Sequence, residues 1–248
     1  MDKLDLWKKA VNLRKQLGED AVSPIDIFAS AFLIPHLSVV YYPMGEHLSG
    51  MCVKDGKNCV IAVNSSMTLG RQRFSMAHEY YHLFYDKACF TAICAKEIGE
   101  GKEKEADQFA SYLLMPPDAL AEQLNRIQKA GSERLLLEDI VRIEQHFQIS
   151  RHALLHRLVE EENLTEEEAE PMRQNITLSA VNLGYPDTLY KPMPKEKQYG
   201  TYGYYIQQVD RAMDLGLISS GKYEELLLAA FRDDLVYGEE LEGGEGFD

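Results

Sequence analysis

The chain has 248 residues, 45% of them hydrophobic and 27% charged, which is the composition of a globular protein with one large domain or two small ones. Its formal net charge of −14 argues against a general affinity for nucleic acid, because phosphate binding depends on clustered lysine and arginine. The N-terminal segment is charged throughout, no apolar run approaches about 18 residues, and the four cysteines have no framework spacing, so we expect a cytoplasmic protein without signal peptide or membrane span.

The first part of the chain predicts a helix followed by a small sheet. Leu37–Tyr42 is rich in β-forming residues and predicts a strand. The apolar segments on either side of Asp55-Gly56 predict a hairpin with this dipeptide as its two-residue turn. That register would place Cys52 opposite Cys59, where two small apolar side chains packed together are favoured over a disulfide.

The pattern then becomes helical. One helix is predicted from Leu69 to about Tyr85, and a second from Glu103 to Met115, where two prolines stop it. Further on, two helical segments joined by a short turn before Ser150 predict a pair shaped like a helix-turn-helix. The residues from Asp233 onward contain only acidic charges and four glycines, so we expect them to be disordered.

Two histidines lie four residues apart on the first of these helices. His78 and His82 are separated by one helical turn, so both imidazoles can converge on one metal ion, and zinc readily accepts such ligands. Glu79 is rotated off that line, which makes it a poor ligand but allows it to act as a general base towards a water molecule at the ion's open position. This HExxH pattern predicts a zinc site.

A catalytic zinc needs a third protein ligand. No histidine follows His82 in the register of the longer HExxHxxGxxH pattern, so the next helix must provide it. Glu103 shares a stripe with Asp107 and two small alanines, whereas Glu105 lies about 200° around the helix. We therefore prefer Glu103 over Glu105 as the ligand, and expect Asp107 to accept a hydrogen bond from a ligand histidine.

The run RQRFSMAHEYYHLF, followed by EKEADQFASYLLMP, resembles the ImmA/IrrE family of zinc metallo-endopeptidases. That family typically shows R-x-x-F-[ST]-x-A-H-E-x-x-H and then E-x-x-x-[ND]-x-F-A-x-x-L-L-M-P, and the likeness covers about residues 20–160. The matching residues are Arg71, Phe74, Ser75, Ala77, His78, Glu79 and His82 in the first block, and Glu103, Asp107, Phe109, Ala110 and residues 113–116 in the second. Two positions differ from the family's usual residue: Tyr81 stands where the family often has a small residue, and Asp107 stands where an asparagine is commoner.

The resemblance implies that His78, His82 and Glu103 bind Zn²⁺ and that Glu79 is the catalytic glutamate. With the elements above, it implies an α+β fold. A zincin-like domain, with a small antiparallel or mixed sheet and the HExxH helix, would cover residues 1–125. A helix-turn-helix-like segment packed on it would cover residues 126–165, and a C-terminal region with an acidic end residues 166–248.

The resemblance also implies a substrate. The family's protein partner is a helix-turn-helix transcriptional repressor, usually encoded nearby, whose cleavage relieves repression of mobile-element, prophage or stress genes. We expect no direct binding of nucleic acid and none of membrane. The strand Cys59–Asn64 could offer an edge along which an extended substrate pairs its backbone. Peptide hydrolysis also needs a group that stabilises the negative charge developing on the carbonyl oxygen. The sequence does not identify this hydrogen-bond donor, and four tyrosines are candidates: Tyr199, Tyr202, Tyr204 and Tyr205.

Two other functions remain open. A DNA-binding or scaffold module could be built on Leu137–Glu162, but residues 134–165 contain four arginines against six acids, which favours packing or partner docking. His146, His152 and His156 in this segment are predicted to be ordinary surface or core residues. The second alternative is a zinc-binding regulatory or toxin-antitoxin protein with little proteolysis. All the catalytic groups are present, so we favour activity.

Overall fold

The computed structural model describes residues 2–86, 100–129 and 134–238. Within these ranges it contains twelve α-helices and four β-strands, an α+β fold as predicted. The helices are α1 Lys3–Gln16, α2 Ile27–Ser30, α3 Leu69–Tyr85, α4 Glu100–Leu114, α5 Pro117–Lys129, α6 Leu137–Phe147, α7 Arg151–Glu160, α8 Glu166–Ala169, α9 Ile176–Asn182, α10 Tyr204–Asp214, α11 Ser220–Ala229 and α12 Asp233–Tyr237. The strands are β1 Leu37–Tyr42, β2 Gly50–Asp55, β3 Asn58–Asn64 and β4 Gly200–Gly203.

The four strands form one mixed sheet in the order β2-β3-β1-β4. β1 and β3 are parallel, whereas β2 pairs antiparallel with β3 and β4 pairs antiparallel with β1. The prediction that β3 offers a free edge is therefore wrong, because β3 has a neighbour on each side. Its Ile61 and Val63 are completely buried, which suits a central strand. Among the described residues, the free edge on this side of the sheet belongs to β2.

The hairpin between β2 and β3 turns one residue later than predicted. Asp55 pairs with Asn58, so the loop is Gly56-Lys57, and Gly56 has φ +58° at the first loop position, as in a type II′ turn. The predicted pairing of Cys52 with Cys59 is consequently wrong. Cys52 lies opposite Ile61, and Cys59 lies opposite Lys54.

One face of the sheet is covered by α3, which packs on β2 and β3. The next helix, α4, packs against α3, and α1 packs against α4. The helix interfaces are formed by buried small and aromatic side chains, including Ala77 and Tyr81 of α3 and Ala106 and Phe109 of α4. Small residues at these positions permit close approach of the two helix backbones. This close approach determines the distance between the predicted ligands on α3 and α4.

The predicted helix pair α6–α7 packs beside the start of α3. Ser150 caps α7 by accepting a hydrogen bond from the amide of Ala153, as expected for an N-cap. Arg73 of α3 donates to the carbonyl oxygen of Gln148, 2.9 Å away, in the turn between the two helices. The contact joins this segment to the HExxH helix. The boundaries at residues 125 and 165 stay a prediction.

The segment that follows completes the sheet. β4 comes from the tyrosine-rich segment, and α10 follows it directly. Disorder was predicted from Asp233 onward, and for Asp233–Tyr237 this is wrong, since these residues form α12; residues 239–248 lie outside the described part. Arg232 pairs with Asp234 at 2.7 Å, and acidic residues in the first turn stabilise a helix N-terminus. None of the described helices combines the length and apolar character that crossing a membrane requires.

Candidate metal centre

The two histidines lie on one face of α3, which a hydrogen-bonded turn attaches to the sheet. The side-chain amide of Gln72 donates to the carbonyl oxygens of Ser65 and Met67, so the segment between β3 and α3 is held at its start. Further along α3, His82 is buried and His78 is partly exposed. Their Nε2 atoms are 3.1 Å apart, which shows that both rings point at one position.

Glu103 of α4 completes the cluster. Its Oε2 lies 3.2 Å from Nε2 of His78, and its Oε1 lies 3.6 Å from Nε2 of His82. One ligand atom from each of the three residues lies within 4.8 Å of the others. Two imidazole nitrogens and one carboxylate oxygen are a ligand set that zinc accepts, with a fourth position left for water or substrate. The three residues can therefore hold a metal ion.

Glu105 faces a different neighbour. Its carboxylate accepts a hydrogen bond of 2.6 Å from the hydroxyl group of Tyr81. Tyr81 itself is buried and its ring contacts Phe109 of α4. The helical phase predicted for α4, with Glu103 towards the histidines and Glu105 away from them, is the phase observed.

Each histidine is also bound at its other ring nitrogen. Nδ1 of His78 lies 2.8 Å from the carboxylate of Asp107, the partner predicted from the sequence. Nδ1 of His82 lies 3.4 Å from the carboxylate of Asp86, which the sequence analysis missed. The signal was available, because Asp86 is four residues after His82 and so lies on the same side of the helix. Lys102 pairs with Asp86 at 2.7 Å.

The carboxylates make the cluster favourable for positive charge. Burial lowers the pKa of His78, but the hydrogen bonds that its ring donates to Asp107 and Glu103 outweigh this and raise the pKa to about 10. The hydrogen bond with His78 lowers the pKa of Glu103. Burial, followed by the charge of His78, lowers the pKa of His82. Such an environment favours a cation at the point where the three side chains meet.

Glu79 lies on the side of α3 that faces the edge strand. Its side chain is buried, with 6% exposed, and packs against Gly50 at the start of β2. A Cβ atom at position 50 would lie 3.1 Å from Oε1 of Glu79, so the carboxylate occupies space that a larger residue would fill. The base predicted from the HExxH pattern therefore lies where α3 packs against the start of the edge strand β2.

The four tyrosines proposed as oxyanion donors are not brought to this cluster. They belong to β4 and its flanking residues, and β3 and β1 separate β4 from β2. Tyr202 packs on Tyr41, with ring centroids 5.8 Å apart. The hydroxyl of Tyr205 donates to the carbonyl oxygen of Leu226. Among the described contacts, these tyrosines support packing of the sheet's other edge.

Comparison with known proteins agrees with this geometry. No curated protein matches the chain. A family model does match, over residues 36–159, which is half of the chain and contains both metal-site helices. Its description is the IrrE N-terminal-like domain of peptidase family M78, and this supports a peptidase function and a bound metal. The chain belongs to the peptidase M78 family.

Proposed function

We propose that the protein is a zinc-dependent endopeptidase that cleaves a protein partner. The observation that supports this most directly is the convergence of His78, His82 and Glu103 beside the buried carboxylate of Glu79. Three metal ligands and a base packed against an edge strand are the parts that metal-assisted peptide hydrolysis needs.

The side chains of the site have separate roles in this reaction. When bound, zinc supplies a Lewis acid that polarises water and a peptide carbonyl. His78, His82 and Glu103 would hold the ion. Nδ1–H of His78 would donate to Asp107 and Nδ1–H of His82 to Asp86, which directs each Nε2 to the metal. With the ion bound in place of a proton, both imidazoles would be neutral ligands and already oriented before the substrate arrives.

Glu79 moves the proton. Its carboxylate takes a proton from the attacking water molecule and returns it to the leaving amine, so that one residue acts first as base and then as acid. Glu79 packs against Gly50 at the start of β2, the strand with which we propose that the substrate peptide pairs. No other described residue is required for the proton transfer.

Within the part of the chain that the structure describes, β2 has one neighbouring strand, β3, and its other edge suits an extended peptide. Unpaired backbone amide and carbonyl groups of an edge strand can pair with a further strand, which binds a substrate through its backbone irrespective of side chains. This role moves from β3, where the sequence placed it, to β2. Recognition of an extended segment favours a protein substrate with an exposed or locally unfolded region.

For the identity of that substrate, the support is the family resemblance. A helix-turn-helix repressor encoded nearby, acting in the cytoplasm on mobile-element, prophage or stress genes, is the partner that this resemblance suggests. The DNA-binding alternative has less support, because Arg151 and Arg157 are each 1% exposed and form hydrogen bonds to Glu144 and Glu161. Buried, paired guanidinium groups do not neutralise phosphates.

The proposal is tested by co-expressing the protein with the product of the neighbouring gene. Wild type should cleave the partner, and Glu79→Gln should bind zinc normally but lose about 10²–10⁴-fold in rate, because glutamine has nearly the same shape and cannot accept the proton. Cleavage products are measured by mass spectrometry, and zinc by metal analysis of the same preparations. Undiminished cleavage by Glu79→Gln would remove this residue from the mechanism. Zinc binding without cleavage by wild type would favour the regulatory alternative.

A further inference from the structure

We propose that Asn64 is a positioning residue that holds the start of β2 against Glu79 and thereby determines how tightly an extended peptide backbone binds at this site. The inference rests on the proposed function. Asn64 is the last residue of β3 and its side chain is completely buried. A buried amide is costly unless its hydrogen bonds are satisfied, and here the partners belong to one loop.

That loop is residues 43–49, which we call the crossing loop because it passes over the end of β3. β1 and β2 lie on opposite sides of β3, so the chain between them has to cross it. A loop in this position has no neighbouring strand to satisfy its backbone groups. The side chain of Asn64 supplies these hydrogen bonds.

The amide nitrogen of Asn64 makes most of these contacts. Its Nδ2 atom donates to three carbonyl oxygens of the crossing loop: Met44 at 3.2 Å, Gly45 at 3.2 Å and Leu48 at 2.7 Å. Its Oδ1 atom accepts from the amide of Met44 at 3.0 Å. One side chain therefore binds both ends of the loop.

The opposite half of the amide has a second role. Oδ1 also accepts from the backbone amide and the hydroxyl of Ser66, at 3.1 and 2.6 Å, in the segment that leads to α3. The donor and acceptor halves can thus be separated by substitution. Asn64→Asp has nearly the same shape and keeps the acceptors for Ser66, but removes the donor to the crossing loop.

The crossing loop ends next to the base. The backbone amide of Asn64 donates to the carbonyl oxygen of Ser49, 3.0 Å away, and the following residue is Gly50. Gly50 packs against the carboxylate of Glu79 and begins the edge along which a peptide would pair. A shift of the loop therefore moves the peptide-binding edge relative to the base. The three metal ligands lie on α3 and α4, which the donor half of Asn64 does not contact.

This separation permits a test with two zinc-binding probes. Acetohydroxamate is small and contacts little besides the metal, whereas a hydroxamate attached to a three-residue peptide would also pair with β2. Asn64→Asp should keep full zinc occupancy and wild-type affinity for acetohydroxamate, but lose roughly tenfold or more in affinity for the peptidyl probe, as expected for lost or misplaced backbone hydrogen bonds. With a cleavable peptide, KM should rise more than kcat falls.

The matched control is Asn58→Asp, at the exposed other end of the same strand, which should bind both probes as wild type does. Asn64→Ser, which introduces no charge but also removes the acceptor for Ser66, is the second variant should Asn64→Asp fail to fold; a larger loss of affinity is again expected for the peptidyl probe than for acetohydroxamate. Unchanged affinity for the peptidyl probe in a folded, zinc-loaded variant would overturn the proposal, as would an equal loss for both probes. If wild type binds zinc but neither probe, the proposed peptidase function itself is wrong.

Discussion

At the scale of single residues, the metal centre has two layers of carboxylates. Glu103 faces the metal position, whereas Asp107 and Asp86 bind the outer nitrogens of the two histidines. Asp86 is 2% exposed and Asp107 is 59% exposed. A buried carboxylate competes with less water for its partner, so Asp86 should hold its histidine more firmly than the longer distance suggests.

The first prediction separates the two glutamates of α4. Glu103→Gln should weaken zinc binding sharply, because it replaces an anionic ligand by a neutral amide. Glu105→Gln should leave zinc affinity and activity nearly unchanged, since this carboxylate binds Tyr81 and not the histidines. Competition titrations with a zinc chelator measure both variants under the same conditions.

Substitution of Asp86 and Asp107, the carboxylates that bind the outer nitrogens of the histidines, should have an intermediate effect. Asp86→Ala and Asp107→Ala should fall between the two glutamate variants, because loss of a partner behind a ligand histidine typically costs about 10–100-fold in metal affinity or activity. Zinc affinity reduced more by Glu105→Gln than by Glu103→Gln would show that the ligand assignment is wrong.

At the scale of elements, features that depend on one continuous segment could be predicted from the sequence, whereas contacts between distant segments could not. The HExxH helix was predicted at Leu69–Tyr85 and Glu103 was placed on the correct face of α4, because helical period is simple arithmetic along one segment. Contacts of the sheet were less accessible. The connection from β1 to β2 crosses the end of β3, and the role of Asn64 follows from this crossing. Both depend on the order of the strands in the sheet, which the periodicity of the sequence does not reveal.

Gly50 permits a prediction about the fit between β2 and α3. In Gly50→Ala, the new Cβ would lie 3.1 Å from both Oε1 of Glu79 and the carbonyl oxygen of Ala62, so the base and the edge strand must move apart. We expect kcat to fall by roughly 10-fold or more, since general-base catalysis requires hydrogen-bond contact with the attacking water. Zinc affinity should change little.

Steady-state kinetics and a zinc titration on the same preparation test this. Gly45→Ala is the control, because a Cβ at position 45, in the crossing loop, would meet nothing within 4 Å. Equal activity of the two variants would show that β2 and Glu79 are not as closely fitted as the structure indicates.

At the scale of the whole molecule, residues distant in sequence form one sheet. β4 pairs with β1 although more than 150 residues separate them along the chain. Gly203 makes this pairing possible, because it has φ +83° and a Cβ there would lie only 2.6 Å from the carbonyl oxygen of Leu37. The sheet therefore depends on a strand that lies beyond the part of the chain matched by the family model.

Gly203→Ala should destabilise the entire protein. Positive φ alone costs an alanine about 1–3 kcal/mol, and the contact with β1 adds to this. Gly216→Ala is the control. Gly216 has φ +66°, but an added Cβ would meet nothing within 4 Å, so this variant measures the cost of the positive φ without a steric clash. Urea unfolding followed by circular dichroism should show a larger loss for Gly203→Ala, in a single transition. A separate, early transition would instead indicate that the C-terminal region unfolds independently.

The late position of β4 also has a consequence for biosynthesis. His78, His82 and Glu103 have all left the ribosome long before Gly200–Gly203, and at about 5–20 residues per second the interval is on the order of ten seconds. Throughout that interval the nascent polypeptide has its metal ligands and its base, while the outer side of β1 lacks its native neighbour. Translation speed thus sets how long adjacent chains on a polysome can pair with β1 in place of β4.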